Sequence, residues 1–243
     1  MTLPRFFCPI PIENNSIIAL PATVAHHAGR ALRLREGDRI VLFNGKGGEY
    51  EGILRFNKGE ALAEIDCFRD TNRDLSTKIT LVQALASGDK MDWIIEKAVE
   101  MGVSQFIPIQ AERSVLQLSG ARLEKRQLHW QSIIQSASEQ CGRNTLMTLT
   151  PVVALKDCFV FLQDTLKLVA DPEAAQSLTT VLSEQKPHSL SFFIGPEGGW
   201  SSKEINTIVQ QDALAIRFGE RILRTETAGI ALVSASASLL NLI

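Results

Sequence analysis

The chain has 243 residues, 45% of them hydrophobic, which suffices for one large or two smaller globular domains with a proper core. With 25 basic residues against 27 acidic ones it is no bulk polycation, so any groups that bind nucleic acid must be focused locally. The start, MTLPRFFCPIPIENN, carries no export or organelle pattern, and the longest apolar run, near Phe192, is cut short by Gly195 and Pro196; a soluble, cytoplasmic protein with no membrane span is expected.

In chain order, residues 5 to 68 show short apolar runs broken by turn signals such as Asn44-Gly45 and Gly47-Gly48, and ILRF and ALAEID alternate. That pattern predicts a small β-barrel or meander, interrupted by a short helix around Ala22 to Leu34. The polar stretch from Arg69 to Lys78 has no apolar periodicity and reads as a linker. Beyond it the rhythm alternates. KITLVQALA reads as a strand, DKMDWIIEKAVEMG as a helix closed by Gly102, VSQFIPIQ as a strand, and Arg122 to Gly142 as a long helix. TLKLVA, SLSFFIG and ALAIRFG read as further strands, with helices in PEAAQSLTTVLSEQ, SSKEINTIVQQ and from about Thr225 to Leu242. The order implies an α/β fold with a mostly parallel sheet covered by helices. Cys8, Cys67, Cys141 and Cys158 are far apart and at no zinc-ligand spacing, so reduced thiols and no metal are expected.

Chemistry concentrates in SFFIGPEGGWSSKE. A strand runs into Gly195-Pro196-Glu197-Gly198-Gly199, and a helix follows whose start is marked by Ser201 and Glu204 at capping-box spacing. Glycines let backbone approach a ligand, Pro196 stiffens the loop, and ligands of open α/β sheets bind at strand C-termini. The ordinary alternative is a plain strand-to-helix turn. The loop matches neither the dinucleotide nor the phosphate-loop pattern, which argues against a nucleotide-binding domain. One helix and strand later comes RFGERILRTETAGIALVSASASLL, where Gly219 ends a strand and Arg224-Thr225-Glu226-Thr227 opens a helix of small residues suited to close packing, in its own core or against another subunit.

IGPEGG (Ile194 to Gly199), GERILRTETA (Gly219 to Ala228), EKAVEMGV (Glu96 to Val103), ERS (Glu112 to Ser114) and SEQCGR (Ser138 to Arg143), with RFF, HHAGRALRLREGD and LFNGKGGEY near the N-terminus, resemble the bacterial 16S ribosomal RNA uracil-N3 methyltransferases of the SPOUT superfamily over nearly the whole chain. The resemblance implies a PUA-like RNA-binding β-barrel over residues 1–72 and a SPOUT methyltransferase domain over residues 73–243, its mostly parallel sheet threaded into a trefoil knot. No pattern argument would suggest a knot. It also implies a homodimer, 16S ribosomal RNA, in the small subunit, as partner, and S-adenosylmethionine as cofactor, leaving S-adenosylhomocysteine as product.

Carried over, the cofactor grip falls on Leu168, Val169 and Ala170, on Ile194, Gly195, Pro196, Glu197, Gly198 and Gly199, and on Gly219, Ile222, Leu223, Arg224 and Thr225. Adenine needs an apolar slot with main-chain donors and acceptors, which Ile222 and Leu223 can supply. Glu197 suits either the sulfonium charge or a cap or turn role. Methylation at uracil N3 removes a weakly acidic proton and leaves negative charge on the base, which must be unpaired to react. An arginine aimed at that charge lowers the barrier. Arg224 and Arg143 are the candidates, with Glu226 or Glu139 as proton acceptor or as orienter of an arginine. On the long helix Trp130, Ile134, Ala137 and Cys141 form an apolar stripe, and Ser132, Ser136, Glu139 and Arg143 a polar one, which is either a solvated face or a substrate contact. For RNA capture the candidates are Arg5, His27, Arg30, Arg33 and Arg35; Arg39 and His26 stand beside them, offset by Glu36 and Asp38. Two other classes stay open: a binding module that has lost catalysis, and a small-molecule enzyme using a nucleotide.

Overall fold

The structure is a computed structural model that describes residues 3–57 and 60–243. It divides into two compact units. The first comprises Met1–Asp74 and Ser138–Leu146; the second comprises Leu75–Ala137 and Met147–Ile243.

The first unit is built on a five-stranded sheet in the order β1-β3-β4-β5-β2. Its strands are β1 (Arg5–Phe7), β2 (Ile17–Ala19), β3 (Arg39–Phe43), β4 (Glu49–Asn57) and β5 (Glu60–Arg69). All pairs are antiparallel except β1 with β3. Alternation sorts Ile40, Leu42, Leu54, Ala63 and Ile65 into a core with Phe6 and Val24. The expected helix exists but is short: α1 (Ala22–His26) passes into a π-helical turn over His27–Ala31. The stretch expected as a bare linker is tied down. The Thr71 carbonyl accepts from Asn144 Nδ2 at 2.9 Å, and Arg73 donates to Glu49 at 3.1 Å and to the Gly142 carbonyl at 2.7 Å.

The second unit contains an eight-stranded sheet in which every pairing is parallel. Its longer strands are β6 (Lys78–Ala84), β7 (Gln105–Gln110), β10 (Leu166–Ala170), β12 (Ser189–Ile194) and β13 (Leu214–Arg217); β8 (Thr148–Leu149), β9 (Val153–Ala154) and β11 (Gln176–Ser177) are two-residue edge pieces. The order is β11-β13-β10-β12-β6-β7-β8, with β9 also on β7. Both faces of such a sheet are covered, so its strands read as continuous apolar runs. Leu81, Val82, Ile107, Phe192 and Phe193 are fully buried.

The helices are α2 (Lys90–Glu100), α3 (Gly120–Cys141), α4 (Leu178–Glu184), α5 (Ser202–Val209) and α6 (Thr225–Leu239). The helix expected through PEAAQSLTTVLSEQ is confined to its second half, because Ser177 caps α4 by accepting from the Thr180 N–H at 3.1 Å. The capping box of α5 is present with both its bonds. Helix α3 ends at Cys141, with Gly142 at a φ of +87° turning the chain away. Arg143 therefore lies past the helix, not on its polar stripe. No helix among the described residues is long and apolar enough to cross a membrane.

Candidate active site

In a parallel sheet every strand delivers its C-terminal loop to the same edge, and β10 lies between β13 and β12. The loops after these three neighbours accordingly meet in one cavity of about 540 Å³ within the second unit. Ala170, Asp171 and Pro172 follow β10; Gly195, Pro196, Glu197, Gly199 and Trp200 follow β12; Phe218, Gly219, Arg221, Ile222, Leu223 and Arg224 follow β13. Ile194 at the end of β12 and Thr225 and Glu226 in the first turn of α6 complete the wall. Of the residues expected to grip a cofactor, Leu168, Val169 and Gly198 are absent from this wall. Leu168 and Val169 are fully buried strand residues whose side chains serve the core. The missing side chain of Gly198 instead makes room for Arg113: a Cβ there would stand 3.1 Å from Arg113 Cβ.

The glycine loop is held from both flanks. Glu197 accepts from the Ser87 N–H at 3.0 Å, the Ser87 hydroxyl at 2.8 Å and Lys90 Nζ at 3.2 Å. Burial opposes its ionisation, but these donors outweigh that and hold the carboxyl down at about 2. On the other flank Arg113, from the ERS motif, donates to the carbonyls of Gly198 at 3.1 Å and Trp200 at 3.4 Å. Glu204 accepts from the Glu112 N–H at 2.8 Å besides closing the capping box. Gly195 lets the Trp200 indole close in, since a Cβ there would lie 3.2 Å from Trp200 Nε1. Gly199 and Gly219 adopt φ values of +68° and +70°, where L side chains are strained.

A buried hydrogen-bond chain joins this loop to α6. Gln83 Nε2 donates to Thr225 Oγ1 at 3.0 Å, and Thr225 Oγ1 donates to the Gly195 carbonyl at 2.6 Å. Arg224 is the N-cap residue of α6, and its carbonyl accepts from the N–H groups of Thr227 and Ala228, both at 2.9 Å. Its side chain is exposed and pairs with no carboxylate among the described residues. Glu226 faces Lys90 Nζ at 3.4 Å. Farther along, Gly229 lets α6 close onto the sheet: a Cβ would meet Leu81 Cδ1 at 3.1 Å. The small residue there serves the unit's own core.

Glu139 and Arg143 belong to the first unit. Glu139 accepts from the Phe7 N–H at 2.8 Å and stands 3.9 Å from His27 Nδ1. Burial pushes its carboxyl up from the usual range, against the Phe7 N–H and His27. Arg143 is buried and donates to Asp74 at 2.9 Å. Arg5, expected to meet RNA, is committed inside the unit: it pairs with Glu49, reaches Asn144 and the Gly142 carbonyl, and lies over the Phe43 ring. His27, Arg30, Arg33 and Arg35 are exposed.

Lys90, Asp171, Pro172, Trp200 and Phe218 line the cavity without having been expected there. Trp200 directly follows the glycine loop, so it was within reach of the motif. Lys90 needed the knowledge that β6 pairs with β12, which places the β6–α2 turn beside that loop.

A family model described as an RNA methyltransferase domain matches residues 73–237, and one described as an RNA methyltransferase PUA domain matches residues 20–66. A ribosomal RNA small subunit methyltransferase E of Bacillus subtilis is 32% identical over 92% of this chain and 91% of its own length. The structure of the protein of that name from Neisseria gonorrhoeae, bound to S-adenosyl methionine, is 34% identical, covers 98% of both chains and superposes with a TM-score of 0.90. A methyltransferase of Legionella pneumophila in complex with the cofactor SAM gives 0.91 at 29% identity, again over 98% of both chains. With the methyltransferase-domain model matching most of the chain and the PUA-domain model matching ahead of it, the chain belongs to the RNA methyltransferase family that includes the ribosomal RNA small subunit methyltransferases E.

Proposed function

We propose that this protein transfers a methyl group from S-adenosylmethionine to N3 of a specific uridine in 16S ribosomal RNA, acting as a homodimer on the small subunit. The observation that carries the reading is the convergence of three strand-end loops on one cavity, walled by Gly195, Gly199 and Gly219 and by the apolar Ile194, Ile222 and Leu223. The cavity volume suits a ligand of cofactor size. A Cβ on Gly199 or Gly219 would meet nothing of the protein within 4 Å, so the space beside both glycines is open. A knot through these loops belongs to the same reading.

When bound, the cofactor supplies a methyl carbon on a sulfonium sulfur, electrophilic enough to be taken by a ring nitrogen. The transfer forms an N3–CH3 bond, breaks the S–CH3 bond and releases the N3 proton. Arg224, whose exposed guanidinium lines the cavity and pairs with no carboxylate among the described residues, is the group proposed to stabilise the negative charge that loss of this proton leaves on the base. Glu226, which stands 3.4 Å from Lys90 Nζ, is engaged by that ammonium and is assigned the orienting role. Glu139 lies in the first unit, where burial raises its carboxyl against the Phe7 N–H and His27, which gives it the chemical character of a proton acceptor there. Arg143 is engaged with Asp74 inside the first unit. The exposed His27, Arg30, Arg33 and Arg35 supply a local basic surface for RNA phosphates.

The test is transfer of labelled methyl to small subunits, or to naked 16S RNA, from a strain lacking this activity, with the product mapped by primer extension. Calorimetry should show S-adenosylmethionine and S-adenosylhomocysteine binding, and NAD and ATP not binding. Absence of labelling together with absence of cofactor binding would sink the proposal.

A further inference from the structure

Lys90 stands between two carboxylates that belong to different walls of the cavity. Its ammonium lies 3.2 Å from Glu197 Oε1 in the loop after β12 and 3.4 Å from Glu226 Oε2 in the first turn of α6. Lys90 itself opens α2, whose start is braced from α3: Arg126 donates to the Gly88 carbonyl at 3.1 Å, and Asp92 takes Trp130 Nε1 at 3.1 Å and His129 Nε2 at 2.8 Å. The side chain is 31% exposed, Glu197 24% and Glu226 21%, so the trio is half-dry. An isolated exposed ion pair does little, whereas a cation shared by two partly buried carboxylates is held more firmly. The charges on the cavity wall are Lys90, Arg221 and Arg224 against Asp171, Glu197 and Glu226, so the wall is balanced only while Lys90 is present.

We propose that Lys90 is a positioning residue of this site: it pins the Glu197 loop to the first turn of α6 and cancels the carboxylate charge that a cationic ligand would otherwise meet. The consequence concerns discrimination between substrate and product and rests on the cofactor reading above. S-adenosylmethionine carries a sulfonium charge that S-adenosylhomocysteine lacks, so a wall made more negative favours the former over the latter. A balanced wall removes that bias. Selectivity is then left to shape, and the product is not released merely because it is neutral.

The experiment compares wild type, Lys90→Met, Lys90→Arg and Glu226→Gln. In the ligand-free protein, hydrogen exchange of the Gly199 amide, which closes the turn on the Pro196 carbonyl at 2.9 Å, should quicken about tenfold in Lys90→Met and stay near wild type in Lys90→Arg. Core amides of β6 report any global destabilisation and should stay unchanged. Calorimetry should show Lys90→Met shifting the ratio of affinities toward S-adenosylmethionine by at least about threefold, the effect of one unit charge across a wet cavity. Glu226→Gln should shift it the other way. Wild-type exchange at Gly199 in Lys90→Met, an equal loss of both affinities, or shifts of the same sign in Lys90→Met and Glu226→Gln would overturn the proposal. A wild-type protein that binds neither ligand counts against the cofactor reading alone, because the exchange measurement needs no ligand and still decides the role of Lys90.

Discussion

Arg224 and Glu197 have opposite standing in the same cavity. Arg224 caps α6 through its main chain only, which leaves the guanidinium uncommitted. Arg224→Ala should therefore lower methyl transfer on the order of a hundredfold or more, beyond any change in cofactor affinity, while the melting temperature stays close to wild type. Parallel kinetics and calorimetry would check this, and near-normal turnover would remove the residue from the mechanism. Glu197 has three donors and works for the loop. Its carboxyl, held at about 2 against an ordinary 4.5, contributes stability that is complete above pH 4.5 and is lost as pH falls toward 2. Thermal melts over that window should fall more steeply with acid in wild type than in Glu197→Gln. Equal slopes would mean that the carboxylate is not stabilised in the fold. Arg5, expected to meet RNA phosphates, is taken up within the first unit by Glu49 and Asn144.

Two elements carry constraints that single contacts do not. Helix α6 opens at the cavity and then lies against β6 and β12, packed closely at Gly229. Gly229→Val would press its side chain on Leu81 and Ile194 and should cost about 1–3 kcal/mol of stability in denaturant titrations. Because the same helix holds Thr225 against the Gly195 carbonyl, cofactor affinity should fall with it. The end of α3 is the counterpart in the first unit. Its last carbonyls carry the negative end of the helix dipole, and Arg5 and Arg73 both donate to the Gly142 carbonyl while sharing Glu49. Burial opposes ionisation of Glu49, but the two guanidiniums and Asn144 lower its carboxyl overall. Glu49→Ala would leave these cations facing one another and should destabilise the protein by about 3–5 kcal/mol, whereas Arg39→Ala, on an exposed side chain, should cost less than about 1.

At the scale of the molecule, the proposed function assigns RNA recognition to the first unit and cofactor binding to the second. Replacing Arg30, Arg33 and Arg35 together with alanine should weaken RNA binding, reduce its salt dependence by about three counterions, and leave cofactor affinity unchanged. Filter binding across a salt series beside calorimetry would separate the two effects. The alternation of strands and helices, the capping box at Ser201 and the glycine loops were all legible in the sequence, because each depends on neighbours within a few residues. So was the family, because whole motifs survive in order. Leu168 and Val169 could not be told from Ala170 in the same way: strand residues alternate, and which of them reach the end of the strand depends on where the sheet stops. The short β8 and β9, the division of residues 138–146 from the rest of α3, and the engagement of Arg5, Arg73 and Arg143 depend on partners tens of residues away. Lys90 is the clearest case. Nothing in SGDKMD marks it, and it reaches the cavity only because β6 pairs in parallel with β12, which brings Glu197 to it across 107 residues. Sequence alone determined the longer elements, the motifs and the family, since local periodicity and motif order are written in it. The tertiary structure decided which charges meet, since parallel pairing joins strands in an order that the chain does not spell out.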